Sequence, residues 1–381
     1  MTVEAVVELD DELWERVDEL TSGAMSPCYQ CGTCTATCPL LQHLGRPFSA
    51  RRILRRAQLG LDGLEDIWLC SACGLCEVRC PRGVHIVEAI MGLRALAFKT
   101  GEVPPEMYKL LWSTLEEGNP WNGPRSERSK WAAGLKVRDA AKGVKVLLYV
   151  GCAVSYDPRL QGIAKTMARV LSKARLDFGI LGDREKCCGD SVRASGERGY
   201  LVRLIEDNIR TFEETGAELV VTISPHCFDM FRNLYPRYGL EAEVLHYTEY
   251  LERLLDSEAL VLPRVRKARV AYHDPCYLGR YNGIFEPPRK LLESVPGLQL
   301  EELEENKLNA LCCGGGGGGM WREEGGERLS DKRFLQAKEA GVSMLATSCP
   351  YCIQNFEDSG RRMEGPGVVD VMELLAPRGR R

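Results

Sequence analysis

The chain has 381 residues, of which 44% are hydrophobic and 27% are charged, a composition typical of a globular protein with two or three domains. Its formal net charge of -4 argues against nucleic acid as the main partner. The amino terminus shows no signal-peptide core, and no apolar run reaches the roughly 18 residues of a membrane helix. We therefore expect a cytoplasmic protein without direct membrane insertion, at most peripheral to a membrane complex, in which 17 cysteines indicate metal ligation rather than disulfides.

Residues 1–100 predict a helical domain that binds two [4Fe-4S] clusters. Apolar residues at helical spacing predict an amphipathic helix within 1–22 and further helices over 49–59 and 87–98. The motif Cys-x2-Cys-x2-Cys-x3-Cys-Pro occurs twice, and in two-cluster ferredoxins the fourth cysteine of each motif ligates the other cluster. We therefore assign one cubane to Cys28, Cys31, Cys34 and Cys80, and the other to Cys70, Cys73, Cys76 and Cys38. Structural zinc is the alternative, but zinc sites usually use paired Cys-x2-Cys knuckles.

The helix predicted over 49–59 carries a basic face beside an apolar one. Ile53, Leu54 and Leu59 form the apolar face, and four arginines lie around it. A solvated helix face is one interpretation, and a docking face for an acidic partner subunit is the other.

Residues 101–143 lose the regular pattern and contain Pro, Gly, Trp and charged residues instead. We interpret this stretch as a linker or cover segment rather than a domain. Its tryptophans could pack it against a neighbouring domain; they are Trp112, Trp121 and Trp131.

Two duplicated domains follow, which we assign to residues 144–260 and 261–381. In the first, apolar strands alternate with amphipathic helices, as at 144–150, 160–172, 178–181, 201–212 and 219–223. The cysteines of the first copy recur 124 or 125 residues later in the second, which indicates a duplicated domain rather than a solenoid. The alternation predicts a parallel sheet in each copy, with cysteines at the carboxyl ends of the strands, where open α/β sheets bind ligands. The expected fold class is thus multidomain, α+β and α/β: a helical two-[4Fe-4S] ferredoxin-like domain and two α/β domains.

The second copy carries five thiols in three separated loops, beside a run of six glycines. The thiols are those of Cys276, Cys312, Cys313, Cys349 and Cys352. Thiolates suit iron–sulfur clusters, and five of them exceed the four that zinc or an ordinary cubane needs. Because Gly314, Gly315 and Gly316 lack Cβ atoms, we expect their backbone to approach a cluster closely and to point N–H groups at it. The alternatives are a flexible loop beside buried cysteines and a phosphate loop, although the Gly-Lys-Ser/Thr of a phosphate loop is missing.

The first copy has four thiols, because Ser224 stands where the second copy has Cys349. The four are those of Cys152, Cys187, Cys188 and Cys227. A serine hydroxyl stays protonated near neutral pH and ligates iron far less readily than a thiolate. We expect a remnant structural site without a cluster; the alternative is that the four thiols still hold a metal, with His226 assisting.

This layout resembles the D-type subunit of the heterodisulfide reductase family, in which a two-cubane part is fused to two cysteine-rich CCG domains. The motifs that carry the resemblance are Cys28-Tyr29-Gln30-Cys31-Gly32-Thr33-Cys34, Cys80-Pro81-Arg82-Gly83-Val84 and Cys312-Cys313-Gly314. The matches cover residues 25–100 and 145–376. The resemblance implies that the five thiols of the second copy hold a noncubane [4Fe-4S] cluster at which catalysis takes place. Members with two intact CCG sites can cleave a disulfide between two clusters, a route that Ser224 puts in doubt here.

We expect an oxidoreductase subunit, active within a heterodisulfide-reductase-like complex, that passes electrons between the two cubanes and the noncubane cluster. One alternative is a catalytic subunit that reduces a disulfide at the noncubane cluster. Another is the iron–sulfur subunit of a 2-hydroxy-acid oxidase or benzoyl-CoA reductase-type complex, since both classes contain similar CCG proteins. No flavin or nicotinamide fingerprint follows the glycines, so electrons must come from a partner such as a flavoprotein, a ferredoxin or a membrane cytochrome. Near the second site, His273, Tyr277 and Tyr351 could supply protons or could pack against the loop.

Overall fold

The computed structural model describes residues 12–21, 23, 25–61, 65–322 and 325–375. Within these ranges a helical part precedes two sheets whose strand pairs are all parallel, which confirms the predicted fold class. No helix in the described ranges is both long and apolar enough to cross a membrane.

The helical part contains six α-helices. They are α1 Leu13–Thr21, α2 Thr33–Ala36, α3 Pro39–Leu44, α4 Ala50–Gln58, α5 Leu75–Val78 and α6 Ile86–Thr100. Helices α4 and α6 confirm the predictions for 49–59 and 87–98. The described part of the first predicted helix contains α1, whereas residues 1–11 and 22 lie outside the described ranges. Helix α4 begins after Ser49, whose hydroxyl accepts a hydrogen bond from the backbone N–H of Arg52 and so caps the helix.

The segment 101–143 contains a long helix, α7 Pro105–Glu117, and a short strand, β1 Arg138–Asp139. Proline suits the first turn of α7, and Gly118, with φ 71°, ends it in the left-handed conformation. Strand β1 joins the edge of the first sheet by pairing with a strand beyond residue 143. The domain boundaries drawn from the sequence stay predictions.

The first copy contributes four more strands and six α-helices. They are β2 Val146–Tyr149, α8 Cys152–Tyr156, α9 Gln161–Lys173, β3 Phe178–Ile180, α10 Asp190–Ala194, α11 Gly199–Glu213, β4 Leu219–Thr222, α12 Pro225–Asp229, β5 Glu243–His246 and α13 Tyr247–Asp256. The second copy has four strands and five α-helices. They are β6 Ala268–Tyr272, α14 Cys276–Gly279, α15 Glu286–Glu293, β7 Leu298–Glu301, α16 Leu329–Glu339, β8 Met344–Thr347, α17 Pro350–Arg362, β9 Gly367–Asp370 and α18 Val371–Leu374. The remaining helical turns are 3-10 helices, apart from a π-helical turn at Met230–Leu234.

The strand order confirms the duplication. The first sheet runs β1-β3-β2-β4-β5 and the second runs β7-β6-β8-β9. Apart from the added edge strand β1, the two orders are the same. All paired strands of a sheet run parallel, so the strand ends that precede the cysteines gather at one edge of each sheet.

Two apolar cores hold these parts together. One core includes the helical part and the face of the first sheet that carries Leu147 and Tyr149. The other includes Leu148 on the opposite face and continues without interruption to Val270 and Leu345 of the second sheet. The two copies therefore share one core.

Candidate metal centres

The first predicted set of thiols lines a single cavity. Its members come from the loop before α2, from α2 itself and from the end of the second motif; they are Cys28, Cys31, Cys34 and Cys80. The loop can turn tightly because Gln30 and Gly32 adopt positive φ angles of 66° and 89°. The structure thus brings together the grouping that the motif spacing predicts.

The second set lines a neighbouring cavity, which it shares with Cys34. Its members are Cys38, Cys70, Cys73 and Cys76. The backbone repeats the first loop, since Ala72 and Gly74 also have positive φ angles, of 51° and 73°. Burial raises the pKa of Cys38 to about 12, so its thiol would lose a proton only on binding a metal. The last cysteine of each motif therefore lies beside the first three cysteines of the other motif.

The five thiols of the second copy gather at the carboxyl edge of its sheet. Cys276 begins α14 directly after β6, and Cys349 caps α17 after β8. Within the set, the Cys313 and Cys352 sulfurs lie 3.2 Å apart. All five residues are buried.

The glycine run serves two purposes. The Gly314 backbone N–H donates to the Cys312 sulfur at 3.2 Å, as expected for a glycine that supports a cluster ligand. At Gly316, by contrast, an added Cβ would lie 2.6 Å from the Ser71 carbonyl oxygen, and at Gly317 it would lie 2.5 Å from that of Cys70. Because those contacts are far too short, the later glycines are required for the loop to pack against the second ferredoxin loop.

This packing joins the second set to the five thiols. The neighbouring Cys312 thiol, together with burial, raises the pKa of Cys73 well above its ordinary value. The Ser71 hydroxyl lies 3.8 Å from the Cys312 sulfur. On the other side of the loop, Arg280 Nε donates to the Cys73 carbonyl at 2.6 Å. The two sets of thiols are therefore direct neighbours.

Arg94 of α6 fixes the three parts of the chain to one another. Its side chain is fully buried, and its guanidinium donates at 2.8 Å to the carbonyls of Ile67, Cys70 and Gly317 and at 2.9 Å to that of Ala194. These acceptors belong to the helical part, the second copy and the first copy. Burial lowers the pKa of Arg94 to about 10, and the guanidinium still carries its charge at neutral pH.

The four thiols of the first copy also line one cavity, together with Ser224. The members are Cys152, Cys187, Cys188 and Cys227, all of them buried. The Gly189 N–H donates to the Cys187 sulfur at 3.3 Å, as Gly314 does in the second copy. Ser224 precedes α12 as Cys349 precedes α17. The loop geometry of a CCG site is thus retained where its fifth thiol is missing.

His226 belongs to the first copy but faces the second. Its Nδ1 lies 2.8 Å from Asp190 Oδ2, and its ring stacks on Tyr277 with centroids 3.9 Å apart. Although burial lowers the pKa of His226, the Asp190 carboxylate and the neighbouring Cys349 thiolate raise it to about 10. Its ring also lies 4.4 Å from that of Tyr351, and His226 lines the cavity that holds the four thiols of its own copy, so it touches both sites.

The other candidate proton donors have structural partners. Burial lowers the pKa of His273 well below its ordinary value, and its Nδ1 accepts a hydrogen bond from Arg333 at 3.2 Å. The Tyr351 hydroxyl lies 3.5 Å from that of Ser191 in the first copy. These contacts favour packing as the role of His273 and cross-copy contact as the role of Tyr351.

Sequence reasoning missed Arg94, Asp190 and the pairing of Arg128 with Glu185. The Arg128 guanidinium is buried, binds Glu185 at 2.8 Å and donates to the Cys152 sulfur at 3.3 Å. The sequence does mark Arg94, because it is the one charged residue within the apolar run 89–98 of α6.

The donor sets fit iron–sulfur clusters, because soft thiolates converge in fours and in a five. In the ranges that the structure describes, no three His, Cys, Asp or Glu side chains are arranged around the position of one lone metal ion.

Comparison with known proteins matches three regions of the chain to two domain families. Residues 24–84 match the model of a 4Fe-4S dicluster domain, and residues 146–232 and 270–357 each match the CCG cysteine-rich domain. The chain is 28% identical over 386 residues to the D-type subunit of the dihydromethanophenazine:CoB–CoM heterodisulfide reductase of Methanosarcina barkeri, covering 92% of this chain and 93% of that protein.

Two longer bacterial proteins are also similar. The probable iron–sulfur-binding oxidoreductase FadF of Bacillus subtilis is 37% identical over 326 residues. The EtfAB:quinone oxidoreductase of Syntrophomonas wolfei is 34% identical over 332 residues. Each alignment covers 82% of this chain and 46% of the relative, so the chain spans about half the length of these two proteins.

Proposed function

Because the chain is one of the iron–sulfur proteins that join a 4Fe-4S dicluster domain to two CCG domains, we propose that it is the electron-transferring subunit of a redox complex. Each four-cysteine set of the helical part would hold a [4Fe-4S] cubane, and the five-cysteine set a noncubane [4Fe-4S] cluster. When bound, these clusters supply the one-electron carriers that the polypeptide itself lacks.

The packing of the glycine loop against the second ferredoxin loop is the observation that carries this proposal, because it brings the Ser71 hydroxyl within 3.8 Å of the Cys312 sulfur. Ser71 lies between Cys70 and Cys73 of the second four-cysteine set, and Cys312 belongs to the five-cysteine set. An electron that passes between the two sets would therefore not need to leave the protein interior.

Several hydrogen-bond donors are suited to stabilise negative charge at these sites. The buried Arg94 guanidinium lies beside the Cys70 backbone, and the Gly314 N–H is directed at Cys312. Against the effect of burial, Cys352 and His226, which Asp190 fixes, lower the pKa of Cys349. Such donors orient metal ligands and set reduction potentials in iron–sulfur proteins.

Burial favours a relay over the catalytic alternative. The five cysteines of the second copy are each at most 8% exposed, which leaves a disulfide substrate no direct approach to their sulfurs. We infer that the donor and acceptor are partner proteins of the flavoprotein, ferredoxin or membrane cytochrome type, in a cytoplasmic or membrane-peripheral complex. The activities named for the longer relatives are not assigned to this chain.

The test uses protein purified without oxygen. We expect about twelve iron and twelve sulfide per chain, the content of three four-iron clusters. In freeze-quench experiments with dithionite, Cys76→Ser should slow reduction of the five-cysteine centre at least about tenfold, because the second set lies on the route. The matched variant Cys188→Ala, in the first copy, should leave that rate unchanged.

Two results would overturn the relay. One is zinc in place of iron at the five cysteines. The other is rapid turnover of a mixed disulfide by the isolated chain with a reduced viologen dye, which would establish the catalytic alternative.

A further inference from the structure

The first four-cysteine set reaches the protein surface at Cys31, whereas no cysteine of the other sets is exposed. All 17 cysteines are within the described ranges, and Cys31 is the one that is exposed. Beside it, the Tyr29 side chain is 60% exposed, and Pro81 and Arg82 line the same shallow depression. A protein that touches this surface would come close to the first set without any movement of the chain.

Two arginines lie beside this exposed thiol, and a third lies one helical turn away from one of them. Arg51 and Arg82 line the same cavity as the first set. Arg55 lies one turn along α4, on the helix face that reaches the first motif through Arg51 and through the hydrogen bond between Gln58 and Gln30. We call these three residues the basic rim.

No ion pair among the described residues neutralises the positive charge of the basic rim. Arg52, on the neighbouring face of α4, forms an ion pair with Asp66. None of the three rim arginines forms an ion pair in the part of the chain that the structure describes. The whole chain has a net charge of -4, so this positive potential is local to the exposed set.

We propose that the basic rim with Tyr29 is the docking site of an acidic one-electron carrier protein. This inference rests on the proposed function and names the partner of its outermost site. The [4Fe-4S] cubane that the first set would hold would accept one electron per encounter, the reduced carrier would lose that electron, and no bond would form or break. Arginine and tyrosine are the residues that protein interfaces favour, and opposite charge steers association. A patch that centres on a redox ligand fits a carrier protein better than a lipid surface.

The test measures electron transfer from a reduced acidic [4Fe-4S] ferredoxin to the cluster-loaded protein by stopped flow, between 20 and 300 mM KCl. The wild-type rate constant should fall as salt rises. Arg55→Glu should lower the rate constant at 20 mM KCl by about tenfold and flatten the salt dependence, because steering contributes roughly 10- to 1,000-fold to such rates. Arg82→Gln, on the other side of the depression, should lower it in the same direction.

The matched control is Arg169→Glu, which reverses an exposed arginine on helix α9 that also lacks an ion pair within the described ranges. It should leave the rate constant unchanged. Equal rates for wild type and Arg55→Glu, or an equal loss in Arg169→Glu, would overturn the docking site. Binding to anionic phosphatidylserine vesicles that Arg55→Glu abolishes, with ferredoxin rates unaffected, would identify a membrane surface instead.

The outcomes also separate this inference from the proposed function. Dithionite needs no docking, so Arg55→Glu should keep the iron content, the spectrum and the dithionite reduction of the wild type. If iron is missing from the first set, both proposals fail. Another outcome is that clusters are present and pass electrons inward while the rate of electron transfer from ferredoxin is the same in wild type and Arg55→Glu. In that case only the docking site is refuted.

Discussion

Replacing Arg94 by methionine should release the glycine loop from the helical part. The guanidinium is buried and bonds to backbone carbonyls in all three parts of the chain, and methionine cannot donate to any of them. Breaking such a buried charged contact costs about 3–5 kcal/mol, since the acceptors are left without partners. At 1.4 kcal/mol per factor of ten, local opening should become at least roughly a hundredfold more frequent. Hydrogen-exchange mass spectrometry of the peptides covering 70–72 and 314–319 would measure this opening.

Arg333→Met is the matched control. Arg333 is equally buried, but its hydrogen bonds to Glu305, Gln336 and His273 all stay within the second copy. Its loss should destabilise that copy without selectively exposing residues 70–72. Two results would refute the view that Arg94 fixes the three parts together. One is wild-type hydrogen-exchange rates in Arg94→Met, and the other is the same set of faster-exchanging peptides in both variants.

Three further predictions concern packing, ligand number and pH. Gly316→Ala places a methyl group against the Ser71 carbonyl and should cost about 1–3 kcal/mol in thermal unfolding, whereas Gly162→Ala, with open space around it, should cost nothing. Ser224→Cys restores the fifth thiol of the first copy and should raise bound iron by about four per chain; unchanged iron would show that the site has lost more than one ligand. Burial raises the pKa of Asp370 to about 7 from an ordinary 3.8, so its ionisation makes folding less favourable as pH rises from 4 to 7. Asp370→Asn should therefore melt higher than wild type at pH 8 and lose that part of the pH dependence; equal melting temperatures at pH 8 would contradict this.

The features that the sequence predicted well depend on residues that lie close together in the chain or recur at a fixed spacing. Cysteines two residues apart must lie in one loop, and the alternation of strands and helices leaves little choice but a parallel sheet. The equivalence of Ser224 and Cys349 was readable because a duplication preserves spacing. Each copy then placed its loops at the same edge of its sheet.

The contacts between the parts could not be read in this way. Gly316 meets Ser71 across more than 240 residues, and His226 stacks on Tyr277 of the other copy. The hydrophobic periodicity of a sequence predicts local elements and carries no information on such long-range packing. The glycines were expected to face a cluster, and the Gly314 N–H is indeed directed at the Cys312 sulfur. The role of Gly316, however, follows only from its close approach to the Ser71 carbonyl.

The continuous apolar core of the two copies has a consequence for how the chain can be divided. Cutting between the copies would separate helix α13 from α15 and helix α9 from α18, and would expose buried apolar residues of both copies to water, so neither half should persist as a soluble fragment. The first copy can thus lack the fifth thiol and still be indispensable, because it completes the apolar core of the second copy and stacks His226 on Tyr277.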